Sequence, residues 1–264
     1  MNRIDQKFDE LKSNGRKALI AYFTAGFPSA AKTVEIAKKA ERAGVDIIEL
    51  GVPFSDPIAD GPIIQHASFI SLEKGMNTDR VFGICEILKE SVNVPYLLMT
   101  YYNPVYRYGT AKFAKKCAGT GVSGVIVPDL PFEESGSMKK TLKAFDIKMI
   151  SFLTPFTPLK RTRRILEDAE GFVYFITTAG VTGPRRCFSG ATVSALKKVR
   201  SLTHVPVAAG FGISSSAQIR QIRDNVDGVI IGSFFVKKII DGKMDELWAE
   251  IRELRKPLAG RENC

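Results

Sequence analysis

Eight short apolar runs recur along the chain, and their spacing is the feature that most limits how it can fold. The runs are rich in β-branched and aromatic residues and nearly continuous in apolarity, which is typical of strands covered on both faces. Amphipathic helical patterns separate them. Ser29 can cap one and Thr78 the next, and further patterns span 133–145, 159–169, 191–202 and 214–224, with a last one after 243. The predicted strands span 18–23, 46–50, 95–100, 124–129, 148–153, 172–177, 205–209 and 227–231.

Eight strand–helix repeats within 264 residues match the count and size of a (β/α)₈ TIM barrel. A doubly wound open sheet has the same repeat, and periodicity alone does not distinguish the two. An extra amphipathic helix with Ile4, Phe8 and Leu11 precedes the first strand, and a short helical run, 233–240, follows the last. No linker or low-complexity tract divides the sequence, so we expect one TIM-barrel domain over residues 1–264.

Charge and apolar patterning exclude several classes of protein. The net charge is +10, but basic residues are spread over helix faces, as in 35–42, and we expect no nucleic-acid partner. A positive field of this kind helps to attract an anionic substrate. No run of 18 apolar residues predicts a membrane span, and the polar N-terminus lacks a secretory signal. Four scattered cysteines indicate free thiols, and we expect a cytoplasmic location.

The loops after the last predicted strands have the features of a phosphate site. Gly212 and Gly232 would let backbone N–H groups approach an anion closely, although a simple turn also explains each glycine alone. Ser233 begins a short helix whose free N–H groups would point to the same place. Because barrel enzymes carry their sites at these strand ends, we predict that these loops bind phosphate.

The residue types at the strand ends limit the reaction chemistry. No lysine stands at the carboxyl end of a predicted strand, as Schiff-base chemistry would need, and Lys148 begins its strand at the opposite rim. The only histidines, His66 and His204, do not form a cluster of metal ligands, so we expect no metal. General acid–base catalysis by carboxylates remains.

Two carboxylates are the candidates for this chemistry. Glu49 closes an apolar strand, where desolvation would raise its pKa, although a solvated or salt-bridged carboxylate fits the same position. Asp60 lies in a proline-stiffened loop and would reach over the barrel mouth if the loop folds inward; a turn residue is the alternative. Asp56 is a turn former or an outward contact, and we expect Asp129 to brace its own loop.

Seven motifs carry a resemblance to a known family. They are YFTAGFP (22–28), ELGVPFSDPIADGP (49–62), MTYYNP (99–104), VPDLP (127–131), AGVTG (179–183), GFGIS (210–214) and GS (232–233). On the basis of these motifs, the chain resembles the tryptophan synthase alpha chain over nearly its whole length. The second motif is long and highly specific, whereas the glycine motifs alone are not.

The resemblance implies a reaction and assigns residues to it. The expected reaction is the retro-aldol cleavage of indole-3-glycerol phosphate to indole and glyceraldehyde 3-phosphate, without a cofactor. Glu49 matches the acid–base residue, Asp60 the carboxylate that binds the indole N–H, and Tyr174 a tyrosine near the glutamate. An apolar slot for indole is expected at Tyr22, Met99, Ile126, Leu153 and Phe211. The mobile loop and phosphate cup match Thr182, Gly183, Gly212, Gly232 and Ser233.

The resemblance also implies a partner, the beta chain, in an alpha2beta2 complex. That chain uses pyridoxal phosphate, which would not bind here, and takes indole through a tunnel. The loop facing it corresponds to Pro53, Phe54, Asp56 and Pro57. Thr178, where many members have arginine, and the segment 154–158 depart from the family pattern. Two rival functions stay open at this point: a stand-alone indole-releasing lyase, and a catalytically silent phosphate-binding subunit that regulates a partner.

Overall fold

The computed structural model describes residues 1–177 and 187–260, and these form a parallel barrel wrapped by helices. The strands are β1 (Ala18–Thr24), β2 (Ile47–Gly51), β3 (Tyr96–Met99), β4 (Gly124–Ile126), β5 (Lys148–Met149), β6 (Ser151–Leu153), β7 (Val173–Ile176), β8 (Val207–Gly210) and β9 (Gly228–Ile231). Every pair of neighbouring strands is parallel.

The order of the strands shows how the sheet closes. The order is β5-β4-β3-β2-β1-β9-β8-β7-β6, so the two ends of the sheet are β5 and β6. Only Ile150 separates these two strands in the chain, and they are two halves of the fifth predicted strand. The sheet therefore closes on itself as a TIM barrel, and the open doubly wound alternative is excluded.

Helices surround the barrel and cover one of its ends. Those of the described residues are α1 (Arg3–Ser13), α2 (Ala30–Ala43), α3 (Pro62–Glu73), α4 (Thr78–Lys89), α5 (Tyr102–Tyr108), α6 (Thr110–Gly119), α7 (Gly136–Lys143), α8 (Leu159–Asp168), α9 (Gly190–Ser201), α10 (Ser216–Ile222), α11 (Ser233–Ile240) and α12 (Met244–Arg255). Ser29 caps α2 as expected. None of these helices combines the length and apolarity needed to cross a membrane.

The barrel wall separates two hydrophobic cores. The outer core lies between the strands and the surrounding helices, and the inner core fills the barrel. Helix α1 closes the bottom, because its residues Ile4, Phe8 and Leu11 belong to the inner core. The Asn2 side chain caps α1 and donates to the carbonyl of Ser123, just before β4, at 3.0 Å. The amino ends of the strands are thus covered, and the opposite end is free to carry a site.

Candidate active site

Glu49 lies on β2 and points into the barrel, where water does not reach it. Its side chain is 1% exposed, and its neighbours in register are Tyr22 on β1 and Leu97 on β3. Among the described residues, its Oε2 atom is buried without a hydrogen-bond partner. Burial, and then the charge of Asp60, raise the pKa of Glu49 to about 8. A carboxyl group with this pKa holds a proton at neutral pH.

Asp60 is brought beside Glu49 by the loop that follows β2. The loop folds inward: the Asp60 N–H donates to the Pro57 carbonyl at 3.0 Å, and the Asp60 side chain is only 8% exposed. Burial raises the pKa of Asp60 to about 6, and a hydrogen bond from Tyr101 opposes that rise. The two carboxyl groups are thus buried together, and their pKa values lie about 2 apart.

Tyr101 is a site residue to which the sequence analysis assigned no role. Its hydroxyl accepts a hydrogen bond from the Ala59 N–H at 3.1 Å and donates one to the Asp60 carboxylate. Its ring packs on Phe54, with 5.2 Å between the ring centroids. Tyr101 therefore holds the loop at two points and orients its carboxylate. The available signal was its place in the motif MTYYNP, directly after the third strand.

Two glycines make room for tyrosines inside the barrel. A Cβ at Gly51 would fall 2.1 Å from the Tyr22 hydroxyl, and one at Gly210 would fall 2.6 Å from the Tyr174 hydroxyl. Tyr22 and Tyr174 are both buried, and burial is the largest cause that raises the pKa of each well above its usual value. Both phenols are therefore neutral side chains that line the space around Glu49.

An apolar cavity of about 500 Å³ opens at this end of the barrel. Its inner wall includes Met99 and Phe211, two residues of the predicted indole slot, together with Tyr174, whereas Tyr22 is not on this wall. Ile126 lies in the inner core, below the cavity, and is not on its wall. Phe211 has a φ of 75°, a left-handed backbone that bulky residues rarely adopt, and its ring packs edge-on against Tyr174 at 6.3 Å.

Leu153 does not lie in the slot, which corrects the expectation for this residue. Side chains alternate along a strand, and here Ile150 and Phe152 point into the barrel. Leu153 therefore points outward and belongs to the outer core, where it is 1% exposed. Phe152 takes its place in the wall of the slot, with its ring centroid 5.1 Å from that of Tyr174.

The loops after β8 and β9 form an open corner beside this cavity. Gly212 has a φ of 75°, and a Cβ built on it would meet no atom within 4 Å. Gly232 precedes α11, which begins at Ser233 and has no side-chain cap among the described residues. The Phe235 N–H already donates to the Gly232 carbonyl at 2.9 Å, and the N–H groups of Ser233 and Phe234 are available to an anion within the described part of the chain. Thr178, Thr182 and Gly183 lie outside the described residues.

The rim of the mouth contains the residues expected to face a partner. Pro53 is buried, and Phe54 and Pro57 are half-buried. Asp56 is exposed and accepts a hydrogen bond from the Ser55 hydroxyl at 2.5 Å. Asp129 accepts one from the Tyr102 N–H at 2.9 Å, so its carboxylate braces the start of α5, after β3, rather than its own loop as predicted. No group of three or more potential metal ligands occurs within residues 1–177 and 187–260.

The fold and the site together define a class: (β/α)₈ barrels with a buried carboxylate pair at the carboxyl ends of the strands. Comparison with known proteins narrows this class, because the family model for the tryptophan synthase alpha chain matches residues 8–259. The chain belongs to the tryptophan synthase alpha chain family, whose members are lyases of tryptophan biosynthesis.

Known relatives and solved structures are similar to this chain over nearly its whole length. The tryptophan synthase alpha chain of Methanosarcina barkeri is 46% identical over 256 residues, which cover 96% of each chain. A solved chain from Aquifex aeolicus superposes with a TM-score of 0.91 at 36% identity, covering 98% of this chain and 100% of that one. A chain in the solved tryptophan synthase of Mycobacterium tuberculosis gives a TM-score of 0.90 at 34% identity, covering 98% of each.

Proposed function

We propose that the protein cleaves indole-3-glycerol phosphate to indole and glyceraldehyde 3-phosphate by carboxylate acid–base catalysis. The observation that carries this proposal is the burial of Glu49 beside Asp60, with the pKa values of the two carboxyl groups raised to different extents. The apolar cavity next to them suits the indole ring, and the open corner at Gly212 and Ser233 suits the phosphate.

The two carboxyl groups take different roles in this mechanism. Glu49, protonated at neutral pH, gives its proton to carbon 3 of the indole ring. Asp60, mostly ionised at the same pH, accepts a hydrogen bond from the ring N–H and stabilises the positive charge that the ring acquires. The Glu49 carboxylate then takes the proton of the neighbouring glycerol hydroxyl. As the carbonyl forms, the carbon–carbon bond breaks, and its electron pair returns to the ring.

Substitution of the two carboxylates tests the proposal. We expect Glu49→Gln to lose about 10²- to 10⁴-fold in indole release, with binding of the phosphorylated substrate largely retained. Asp60→Asn should be severely impaired as well. The assay is indole formation by the purified chain, with a chelator present and no added cofactor. Near-normal turnover by Glu49→Gln would contradict the assignment, and an Asp60→Asn variant changed only in stability would remove Asp60 from the chemistry.

We further propose that the protein works in the cytoplasm with a tryptophan synthase beta chain, in an alpha2beta2 complex. Support comes from the family and from the exposed loop at the barrel mouth, where Asp56 and Ile58 face solvent. Sizing of the purified chain with and without a beta chain, together with the rate of indole release in each state, tests this arrangement. A chain that turns over equally fast and never co-elutes with the beta chain is a stand-alone lyase. A chain that binds phosphate but never releases indole is a regulatory subunit.

A further inference from the structure

The cavity at the barrel mouth extends through the barrel wall. Its inner part is lined by inner-core residues such as Phe152 and Tyr174, whereas its outer part is lined by Phe132, Met149 and Ile165, which belong to or pack on the outer core. In a closed barrel the sheet separates these two cores. A single cavity in contact with both therefore passes at a place where neighbouring strands are not joined by backbone hydrogen bonds.

The crossing point is the place where the fifth predicted strand is broken. β4 pairs with β5 only as far as Val125 and Met149, and the Ile150 N–H then donates to the Val125 carbonyl at 3.0 Å. β6 pairs with β7 alone. Above this point no backbone hydrogen bond joins β4 to β6 in the described residues, and Pro128 has no N–H to donate. We call this gap between β4 and β6 the seam.

The outer part of the cavity lies between the turn 132–134 with α7 on one side and α8 on the other. Two ion pairs bridge these elements: Lys139 Nζ to Asp168 Oδ2 at 2.8 Å, and Arg161 to Glu133 through two contacts of 2.9 Å. Each cation on this wall already has an anion. A charged ligand would have to displace one of those partners, so the electrostatics favour a neutral ligand.

The remaining lining of this outer part is mainly apolar. The Ser135 hydroxyl is already bonded to the Phe132 carbonyl at 2.7 Å, and the Thr157 hydroxyl accepts from the Thr154 N–H at 3.0 Å. The walls offer the ring of Phe132 and the side chains of Met149 and Ile165. Aromatic and aliphatic walls with few free polar groups suit a flat aromatic ring.

We propose that the outer part of the cavity is a second binding site for a neutral, planar aromatic molecule of the size of indole, which reaches it from the barrel interior through the seam. The identification of the occupant as indole rests on the proposed function, because indole is the neutral product of that reaction. After cleavage, this site would give the product a place to move to without leaving through the mouth of the barrel.

Titration with 5-fluoroindole, followed by ¹⁹F NMR, tests this second site in the full-length chain. We expect two bound resonances and a stoichiometry of two in the wild type. Ser151 is half-buried on β6, points outward and lines the outer part. Ser151→Leu should fill this part and reduce the stoichiometry to one. Ser137→Leu is the matched control, because Ser137 is an exposed serine on α7 that is not on the lining, and it should keep both sites.

The outcomes separate this proposal from the proposed function. A stoichiometry of one in the wild type overturns the second site, even if the same preparation releases indole from its substrate. Two bound fluoroindoles in a chain without turnover support the second site and count against the proposed reaction. If Ser151→Leu does not fold, wild-type crystals soaked in 5-bromoindole locate the bromine directly, and a bromine found only inside the barrel overturns the proposal.

Discussion

At the scale of single residues, the site depends on an unfavourable burial. Glu49 has a buried oxygen without a hydrogen-bond partner in the described part of the chain, beside a second buried carboxyl group. Ionising both groups in this space is costly, and the cost appears as raised pKa values. The same property would make Glu49 a competent proton donor at neutral pH in the proposed reaction, so that reaction opposes stability and catalysis at this residue.

The burial of Glu49 predicts a pH-dependent change in stability. Its folded-state pKa is about 8 against an ordinary 4.5, so the folded protein keeps a proton that the unfolded chain releases between these values. The contribution of Glu49 to stability is therefore fully present below about pH 4.5 and is lost as the pH rises towards 8. The free energy of unfolding of Glu49→Gln, measured with urea, should rise relative to that of the wild type by up to about 1.4 kcal/mol per pH unit in this window.

Glu35→Gln on α2 provides the control for this measurement. Glu35 is a half-buried surface residue, and hydrogen bonds from Lys32 and then Lys39 lower its pKa to about 2. The contribution of Glu35 to stability is lost only as the pH falls below about 4.5. The difference in free energy of unfolding between Glu35→Gln and the wild type should therefore stay constant from about pH 5 to 8. An equally constant difference for Glu49→Gln would show that Glu49 ionises as an ordinary surface carboxylate.

Tyr101 should influence the reaction through Asp60. Tyr101→Phe removes the hydrogen bond that lowers the pKa of Asp60, so that pKa should rise above about 6. We expect the acid limb of the kcat/KM profile to move to higher pH and turnover near pH 7 to fall about tenfold. Tyr106→Phe, at an exposed tyrosine on α5, should leave both unchanged. An unmoved acid limb in Tyr101→Phe would mean that the hydroxyl only anchors the loop.

At the scale of elements, strands were more predictable than helices. All eight predicted strands occur, because buried parallel strands are apolar on both faces and read as continuous runs. Helix α3 was not predicted, and its burial explains why: Ser68 and Ser71 face inward, while Phe69 is 62% exposed. The Ser71 hydroxyl donates to the Ala25 carbonyl at 2.6 Å, so this helix packs partly through polar contacts that hydrophobic periodicity does not detect.

Other element boundaries also departed from expectation for local reasons. The helices α5 and α6 were not predicted, and the segment 133–145 contains a short 3₁₀ turn before α7. The cap of α4 is Asn77, whose side chain accepts from the Arg80 N–H at 3.0 Å, rather than Thr78. Asparagine and threonine are both good caps, so sequence alone does not choose between neighbours of these types.

The contact between β1 and β2 gives a prediction at this scale. Gly51→Ala would place a Cβ against the buried Tyr22 ring and should destabilise the protein by about 1–3 kcal/mol. Gly83→Ala on α4 is the control, because its Cβ would meet nothing within 4 Å. That variant should be stabilised by up to about 1 kcal/mol, since alanine favours helix over glycine. Thermal unfolding of both variants measures these changes in stability. A Gly51→Ala variant as stable as the wild type would mean that the Tyr22 ring moves aside freely.

At the scale of the whole molecule, the sequence pattern does not predict that the barrel closes. Alternating strands and helices are common to closed barrels and open sheets, and only hydrogen bonding between the last strand and the first separates them. Here β9 pairs with β1, and the break at Ile150 joins the two ends of the sheet. The error at Leu153 has a different origin. Each face of the run 148–153 carries two apolar residues and one polar residue, so the pattern does not reveal which face points inward.

The direction of the barrel predicts where a beta chain binds. Asp56 is exposed at the mouth, whereas Asp9 is exposed on α1, which closes the opposite end. If the mouth faces the partner, Asp56→Lys should weaken binding to a beta chain about tenfold or more, because it reverses a charge at the contact. Asp9→Lys makes the same change of charge at the far end and should bind as the wild type does. Titration calorimetry of both variants with one beta chain measures the difference, and equal affinities would place the partner elsewhere on the barrel.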